Sequence, residues 1–229
     1  MPPALRPLSE ADRLEALRAY QVLDTAPEQA FDDIVALASL ICGTPIALVS
    51  LVDEDRQWFK ARIGMEEGET SRDIAFCAHA VLGSETMVVP DATLDPRFAD
   101  SPLVTTNPRI RFYAGAPLTT ADGHAIGSMC VMDREPRQLT EEQLDSLRIL
   151  SRQVVGMLEL RRISKLLAGA LERSKMLSGM LPICAYCKRV RDDQDYWREV
   201  ESYFKAHSPV EFSHAICPAC VTKHFPDLL

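Results

Sequence analysis

The 229-residue chain predicts an α+β fold: an antiparallel sheet flanked by helices, a long connecting helix, and a small metal-stapled C-terminal module. Three observations carry that reading. Strand-like and helix-like segments mix without regular βαβ alternation, which points to an antiparallel sheet. From Thr140 to Leu181 no proline interrupts the chain, so one long helix is permitted. Beyond it stand Cys184-Ala185-Tyr186-Cys187 and Cys217-Pro218-Ala219-Cys220, two tight pairs with 29 residues between them.

The elements follow in order. Ser9 to Tyr20 reads as an opening helix within an N-terminal segment 1–22, because Ser9 can cap it and Ala11, Leu14 and Leu17 share one face. A second helix runs from Glu28 to Cys42, with Phe31, Ile34, Val35, Ala38 and Ile41 at helical spacing and Gly43 as its stop. Pro45 to Asp53 is apolar on both faces, the pattern of a covered central strand. Arg56 to Ala61 is its hairpin partner across Asp53-Glu54-Asp55. Gly64 to Ser71 reads as an acidic loop, Ala75 to Leu82 as a helix and Met87 to Pro90 as a short strand. Asp95 to Phe98 opens a loop or short helix, and Ile110 to Pro117 and Ala125 to Asp133 are strands joined at Ala121-Asp122-Gly123.

Thr140 and Gln143 form a capping box at the start of the long helix. Leu147, Leu150, Val154 and Met157 make a wide stripe that suits packing on the domain. Farther on, Leu160, Ile163, Leu167, Ala170, Leu177 and Leu181 hold a and d heptad positions, with Ser174 the polar exception. A helix of about forty residues is ~60 Å long. The segment 140–181 is therefore read as a connector and as the seam of a homodimer, the alternative being two ordinary helices broken near Gly169 or Gly179.

In the tail, 182–229, Tyr196, Trp197, Val200, Tyr203 and Phe204 are expected on one face of a helix opened by the acidic run from Asp192 to Asp195. Trp197 and Phe204 would form the module's core. Fewer than fifty residues bury too little to be secure alone, so a metal staple is physically expected. Two Cys-x2-Cys turns supply four thiolates, the complement of a closed tetrahedral site that leaves no position for water. Cys184, Cys187, Cys217 and Cys220 are thus the expected ligands of a structural Zn2+, with iron as an alternative occupant. His214 is a substitute ligand or a neighbour of the ligands.

Composition sets further bounds. The net charge of −8 argues against a partner held by its phosphate backbone, so no nucleic acid is expected. No uninterrupted apolar run approaches a membrane span. The first residues show no apolar signal core, and seven cysteines fit a reducing compartment, so a cytoplasmic protein with no membrane partner is expected.

Six segments stand out: Leu23-Asp24-Thr25-x-Pro27-Glu28-x-x-Phe31-Asp32, Pro45 to Asp53, Arg56 to Ala61, Phe76-Cys77-Ala78-His79, Phe112 to Leu118 and Ile126-Gly127-Ser128-x-Cys130-Val131-x-Asp133. In these, residues 23–160 resemble a GAF domain, the sensory domain of many bacterial regulators. It implies a six-stranded antiparallel sheet flanked by helices, often in homodimers joined through terminal helices. It also implies a ligand held between the sheet and the segment from Arg72 to Pro108. Trp58, Phe76, Cys77, His79, Asp91, Phe98 and Phe112 are the lining residues expected on that basis. The tail resembles a cysteine-rich module found at the C-terminus of some bacterial sensor and response-regulator proteins, a likeness that implies no chemistry.

The Asn-Lys…Phe…Asp-Glu signature of cyclic-nucleotide-binding GAF domains is absent, and Ala78 separates Cys77 from His79 where bilin-binding members place Cys and His side by side. No kinase or cyclase motif and no phosphate-cradling glycine loop is present. The expectation is therefore a non-catalytic signalling protein, whose GAF domain senses a small ligand or partner and acts through the helix and tail on another protein. A first alternative is a redox sensor that uses the four tail cysteines, since Lys188, Arg189 and Arg191 favour thiolates. A second is a GAF-type methionine sulfoxide reductase, although Cys42, Cys77 and Cys130 do not reproduce that family's cysteine spacing.

Overall fold

The uninterrupted apolar run after Pro45 forms β1 (Ile46–Val52), buried along its whole length. In the computed structural model, which describes residues 4–7, 9–175, 182–192, 195–207 and 211–225, β1 lies near the middle of a six-stranded sheet. The other strands are β2 (Arg56–Ile63), β3 (Glu69–Ser71), β4 (Met87–Val89), β5 (Phe112–Thr119) and β6 (Ala125–Asp133). Their order is β3-β2-β1-β6-β5-β4, and every pairing is antiparallel. The α+β reading holds. Gly127 lets β6 lie close to β1, since a Cβ there would stand 2.0 Å from the Ser50 carbonyl oxygen.

Alternation along the strands builds two cores. Ala47, Val49 and Leu51 face one side, where α1 (Glu10–Ala19), α2 (Gln29–Cys42) and the first part of α5 (Glu141–Lys175) cover them. Phe31, Val35, Ala38 and Cys42 of α2 and Leu147, Leu150, Val154 and Leu158 of α5 are buried there at helical spacing. Gly43 ends α2 at φ +64°, a left-handed conformation that glycine adopts without strain. The expected capping box starts α5: the Thr140 N–H donates to Gln143 Oε1 at 3.0 Å and the Gln143 N–H to Thr140 Oγ1 at 3.3 Å. Ile46, Leu48 and Val52 face the other side, under α3 (Phe76–Ala80), α4 (Pro102–Thr105) and the loop between β4 and α4.

Several short elements escape the sequence reading, β3 and α4 among them. The acidic loop ends in β3, which pairs Glu69 with Trp58 and Ser71 with Arg56. α4 starts at Pro102, where Ser101 Oγ accepts the Leu103 N–H. Both runs are too short for periodicity to show.

Among the described residues, charged groups are buried only in networks. Arg13 is 2 % exposed, and its guanidinium donates to both Glu10 oxygens at 2.8 Å and to the Val52 carbonyl at 2.7 Å. Arg72, 5 % exposed, donates to Glu10 Oε1 at 2.6 Å. Lys60 donates to Glu28 at 2.6 Å and to the Ala26 carbonyl at 2.8 Å. Burial that removes water makes each of these partners necessary.

The chain divides into two compact units, Met1–Lys165 and Leu166–Leu229. The stretch 176–181, with Leu177 and Leu181 of the expected seam, lies outside the described residues. In the second unit, β7 (Val190–Arg191) pairs with β8 (Trp197–Arg198), followed by α6 (Val200–His207) and α7 (Pro218–His224). Tyr196 and Trp197 therefore belong to a hairpin, not to the helix face expected of them. The reason is Asp192, 8 % exposed, whose carboxylate accepts the Tyr196 N–H at 2.9 Å and Arg198 Nε at 2.6 Å and so fixes a turn. Trp197 is 47 % exposed, while Phe204 packs edge-on against Phe212. Among the described residues no helix is long and apolar enough to cross a membrane.

Candidate functional site

The second core, between the sheet and the α3–α4 segment, holds the groups with chemical potential. Phe76 stacks on Phe98 at 4.2 Å and on Tyr113 at 5.2 Å between ring centres. Beside them is a cavity of about 10 Å³, room for a single water-sized molecule. Leu48, Gln57, Phe59, Phe76, Cys77, Ile110, Tyr113 and Met132 form its walls, and half-buried Met65, Thr70, Leu103 and Pro108 form its rim. Gln57 Oε1 and Thr70 Oγ1 are buried without a hydrogen-bond partner. Two such oxygens beside a cavity of this size suit a single water molecule or an equally small hydrogen-bonding molecule.

The seven residues expected to line a pocket are distributed as follows. Phe76 and Cys77 line the cavity, and Phe98 packs behind Phe76. His79 sets its ring edge against Phe98 at 4.9 Å, and its Nε2 is buried without a partner. Burial, and then the charge of Arg97, hold His79 below the usual imidazole range, so it is neutral in the fold. Asp91 stands in the loop after β4, where its carboxylate accepts the Thr93 N–H and hydroxyl, away from the cavity. Trp58 and Phe112 lie on the opposite face, packed with α1, α2 and α5. Their neighbours Phe59 and Tyr113 take the cavity side, because successive strand residues alternate faces. A one-residue shift of phase was enough to choose the wrong aromatic in both strands.

At the back of the cavity, Cys77 and Cys130 bring their Sγ atoms to 3.6 Å. The Tyr113 hydroxyl donates to Cys77 Sγ at 3.4 Å and stands 3.3 Å from Ser128 Oγ. Burial pushes the Cys77 thiol up, but hydrogen bonds from Cys130, Ser128 and Tyr113 outweigh it and hold it below the ordinary thiol range. The bond to Cys77, and then burial, hold Cys130 well above the ordinary thiol range.

The tail cysteines come together as two separate pairs. Cys184 begins a tight turn in which its N–H donates to the Arg189 carbonyl at 2.8 Å and its carbonyl accepts the Lys188 N–H at 3.0 Å. Backbone N–H donors of Cys187 and Tyr186, then the Cys187 side chain, hold the Cys184 thiol below the usual range. Cys217 caps α7, and the Cys220 backbone and side chain lower its thiol in the same way. Such amide-backed dithiol turns suit metal-bound thiolates. Among the described residues, however, no three His, Cys, Asp or Glu side chains converge on one point. His214 Nε2 lies 3.2 Å from Glu201.

A model of the GAF domain family matches residues 26–158. The chain belongs to the GAF family. Solved GAF domains share its fold: that of a phosphoenolpyruvate-protein phosphotransferase from Coxiella burnetii superposes with a TM-score of 0.52 at 16 % identity, over 68 % of this chain and 97 % of that one. The GAF domain of the Acinetobacter phosphoenolpyruvate-protein phosphotransferase gives 0.50 at 16 % identity, over 67 % and 97 %. A curated relative, a cyclic di-GMP phosphodiesterase of Pseudomonas aeruginosa, is 46 % identical over 151 residues, which is 66 % of this chain. This chain's match spans 26 % of that relative's length and falls in the GAF region. The expectation of a non-catalytic protein is corrected by this relative, whose name is that of an enzyme. Output motifs within the chain are no guide here, because a GAF region of this kind is shared with an enzyme.

Proposed function

We propose that this GAF protein is a sensory component in the control of cyclic di-GMP turnover. The observation that carries the proposal is the 46 % identity of its GAF region to that of a cyclic di-GMP phosphodiesterase. The domain takes a small ligand, bearing a hydrogen-bond donor, between the sheet and the α3–α4 segment. The unpartnered Gln57 and Thr70 oxygens support that choice. Ligand binding would favour one arrangement of the lid segment, and the bias passes along α5. In the tail, Cys184, Cys187, Cys217 and Cys220 would hold a structural Zn2+, and output reaches a partner protein docked on the tail or the helix, in the cytoplasm. Four thiols in two amide-backed turns support the metal reading.

The exposed leucines of α5 support a homodimer. Leu160, Ile163 and Leu167 are 67 %, 48 % and 58 % exposed, an apolar row that pairing with a second helix would cover. The wild-type chain is expected to sediment as two copies and Leu167→Asp as one. A wild-type mass of one chain would remove the dimer from this account.

The experiment that tests the sensory role is the cellular level of cyclic di-GMP. Deletion of the gene should shift that level, and the wild-type chain supplied in trans should restore it. An unchanged level in the deletion would end the proposal.

A further inference from the structure

We propose that Cys77 and Cys130 are a redox-active dithiol that small hydroperoxides convert to an intramolecular disulfide, tying α3 to β6. The proposal concerns thiols other than those of the tail, and it stands independently of the sensory reading.

Placement carries the argument. Cys77 and Cys130 are 53 residues apart in sequence, and the fold brings their Sγ atoms to 3.6 Å. Both are at most 1 % exposed, and neither is joined in a disulfide. Bond formation needs the sulfurs to close to about 2.05 Å, an approach that rotation of two side chains and a small shift of the five-residue α3 can provide. The Tyr113 hydroxyl donates to Cys77 Sγ at 3.4 Å, so a thiolate formed on Cys77 would have a fixed donor beside it. Gly115 makes room for that hydroxyl: a Cβ at this position would lie 2.1 Å from Tyr113 Oη. The cavity that Cys77 lines admits one molecule of about the size of water, which selects a small neutral oxidant and shuts out bulky disulfides.

The chemistry balances with hydrogen peroxide as the oxidant. The Cys77 thiolate attacks one peroxide oxygen; an S–O bond forms, the O–O bond breaks, and the departing hydroxide takes up a proton as water. Cys77 is then a sulfenic acid. Cys130 attacks the Cys77 sulfur, the S–S bond forms, the S–O bond breaks, and the hydroxyl leaves with the Cys130 proton as a second water. Two thiols are oxidised and one peroxide is reduced to two waters.

The test treats the folded full-length chain with hydrogen peroxide, removes the peroxide, then unfolds the protein in the presence of an alkylating agent and digests it with trypsin. The expected product is a disulfide-linked pair of peptides 73–97 and 112–134, formed at a rate proportional to peroxide. Tyr113→Phe, which keeps the ring and removes the donor, should slow its formation severalfold. Cys130→Ser should leave Cys77 as a sulfenic acid that dimedone traps. Recovery of both peptides as separately alkylated thiols, at a peroxide dose that oxidises the tail pairs, would overturn the proposal. So would a link that forms only in denaturant.

Discussion

Cys184→Ser combined with Cys217→Ser is expected to remove the metal and the fold of the tail together. Elemental mass spectrometry of the wild-type chain should find about one zinc per chain, and the double variant should carry none. The expected effect is large because so little else stabilises this unit. Tyr186 is 97 % exposed, Ile216 57 % and Trp197 47 %, so few apolar contacts offset the entropy of ordering the segment. A structural zinc on four thiolates contributes on the order of 10 kcal/mol. Amide exchange in α6 and α7 should therefore rise to that of an unfolded segment in the double variant. The GAF domain, with its own two cores, should melt as in the wild type. A metal-free wild type, with four free or pairwise oxidised thiols, would contradict the metal reading and turn the tail into a dithiol switch.

Glu10→Ala is expected to destabilise the GAF domain by about 3–5 kcal/mol, the usual cost of stranding buried charge. Glu10 alone supplies the carboxylate that both Arg13 and Arg72 reach, at 2.8 Å and 2.6 Å. Both guanidiniums are almost fully buried, and Arg72 Nη2 already lacks a partner. Burial pushes the Glu10 carboxyl up, but the two arginines outweigh it and hold it at about 2, against an ordinary 4.5. The folded pKa is depressed, so the stabilisation is complete above pH 4.5 and is lost as pH falls from 4.5 towards 2. Denaturant titrations of wild type and Glu10→Ala should thus diverge at pH 7 and converge near pH 2. A difference under 1 kcal/mol at pH 7 would show that the network is dispensable.

The sequence revealed most where a pattern is long and one-sided. The run from Ile46 to Val52 reads as a covered strand, and α2 and α5 announce themselves by apolar spacing, by Gly43 and by the Thr140–Gln143 box. Phase was harder to read. Phe112 to Leu118 is buried on both faces, so alternation gives no sign of which aromatic meets the cavity. The register of β5 on β6 decides it and turns Tyr113, not Phe112, towards Cys77. In the same way, no local pattern joins Cys77 to Cys130, because only the α3–β6 contact makes them neighbours. In the tail, aromatic spacing suggested a helix through Tyr196 and Trp197. A single carboxylate, Asp192, prevails over that spacing by hydrogen-bonding a turn.

The proposed sensory role requires that events in the cavity between the sheet and the α3–α4 segment govern cyclic di-GMP turnover. Leu103→Trp tests it most directly, because Leu103 lies on the half-buried rim and an indole there blocks the cavity without cutting into a strand. The measurement is cyclic di-GMP extracted from gene-deleted cells that carry either the wild-type chain or Leu103→Trp, with the purified variant's melting point confirming its fold. A folded Leu103→Trp chain that fails to restore the wild-type level is the predicted result. A folded variant that restores it as fully as the wild type would contradict the claim.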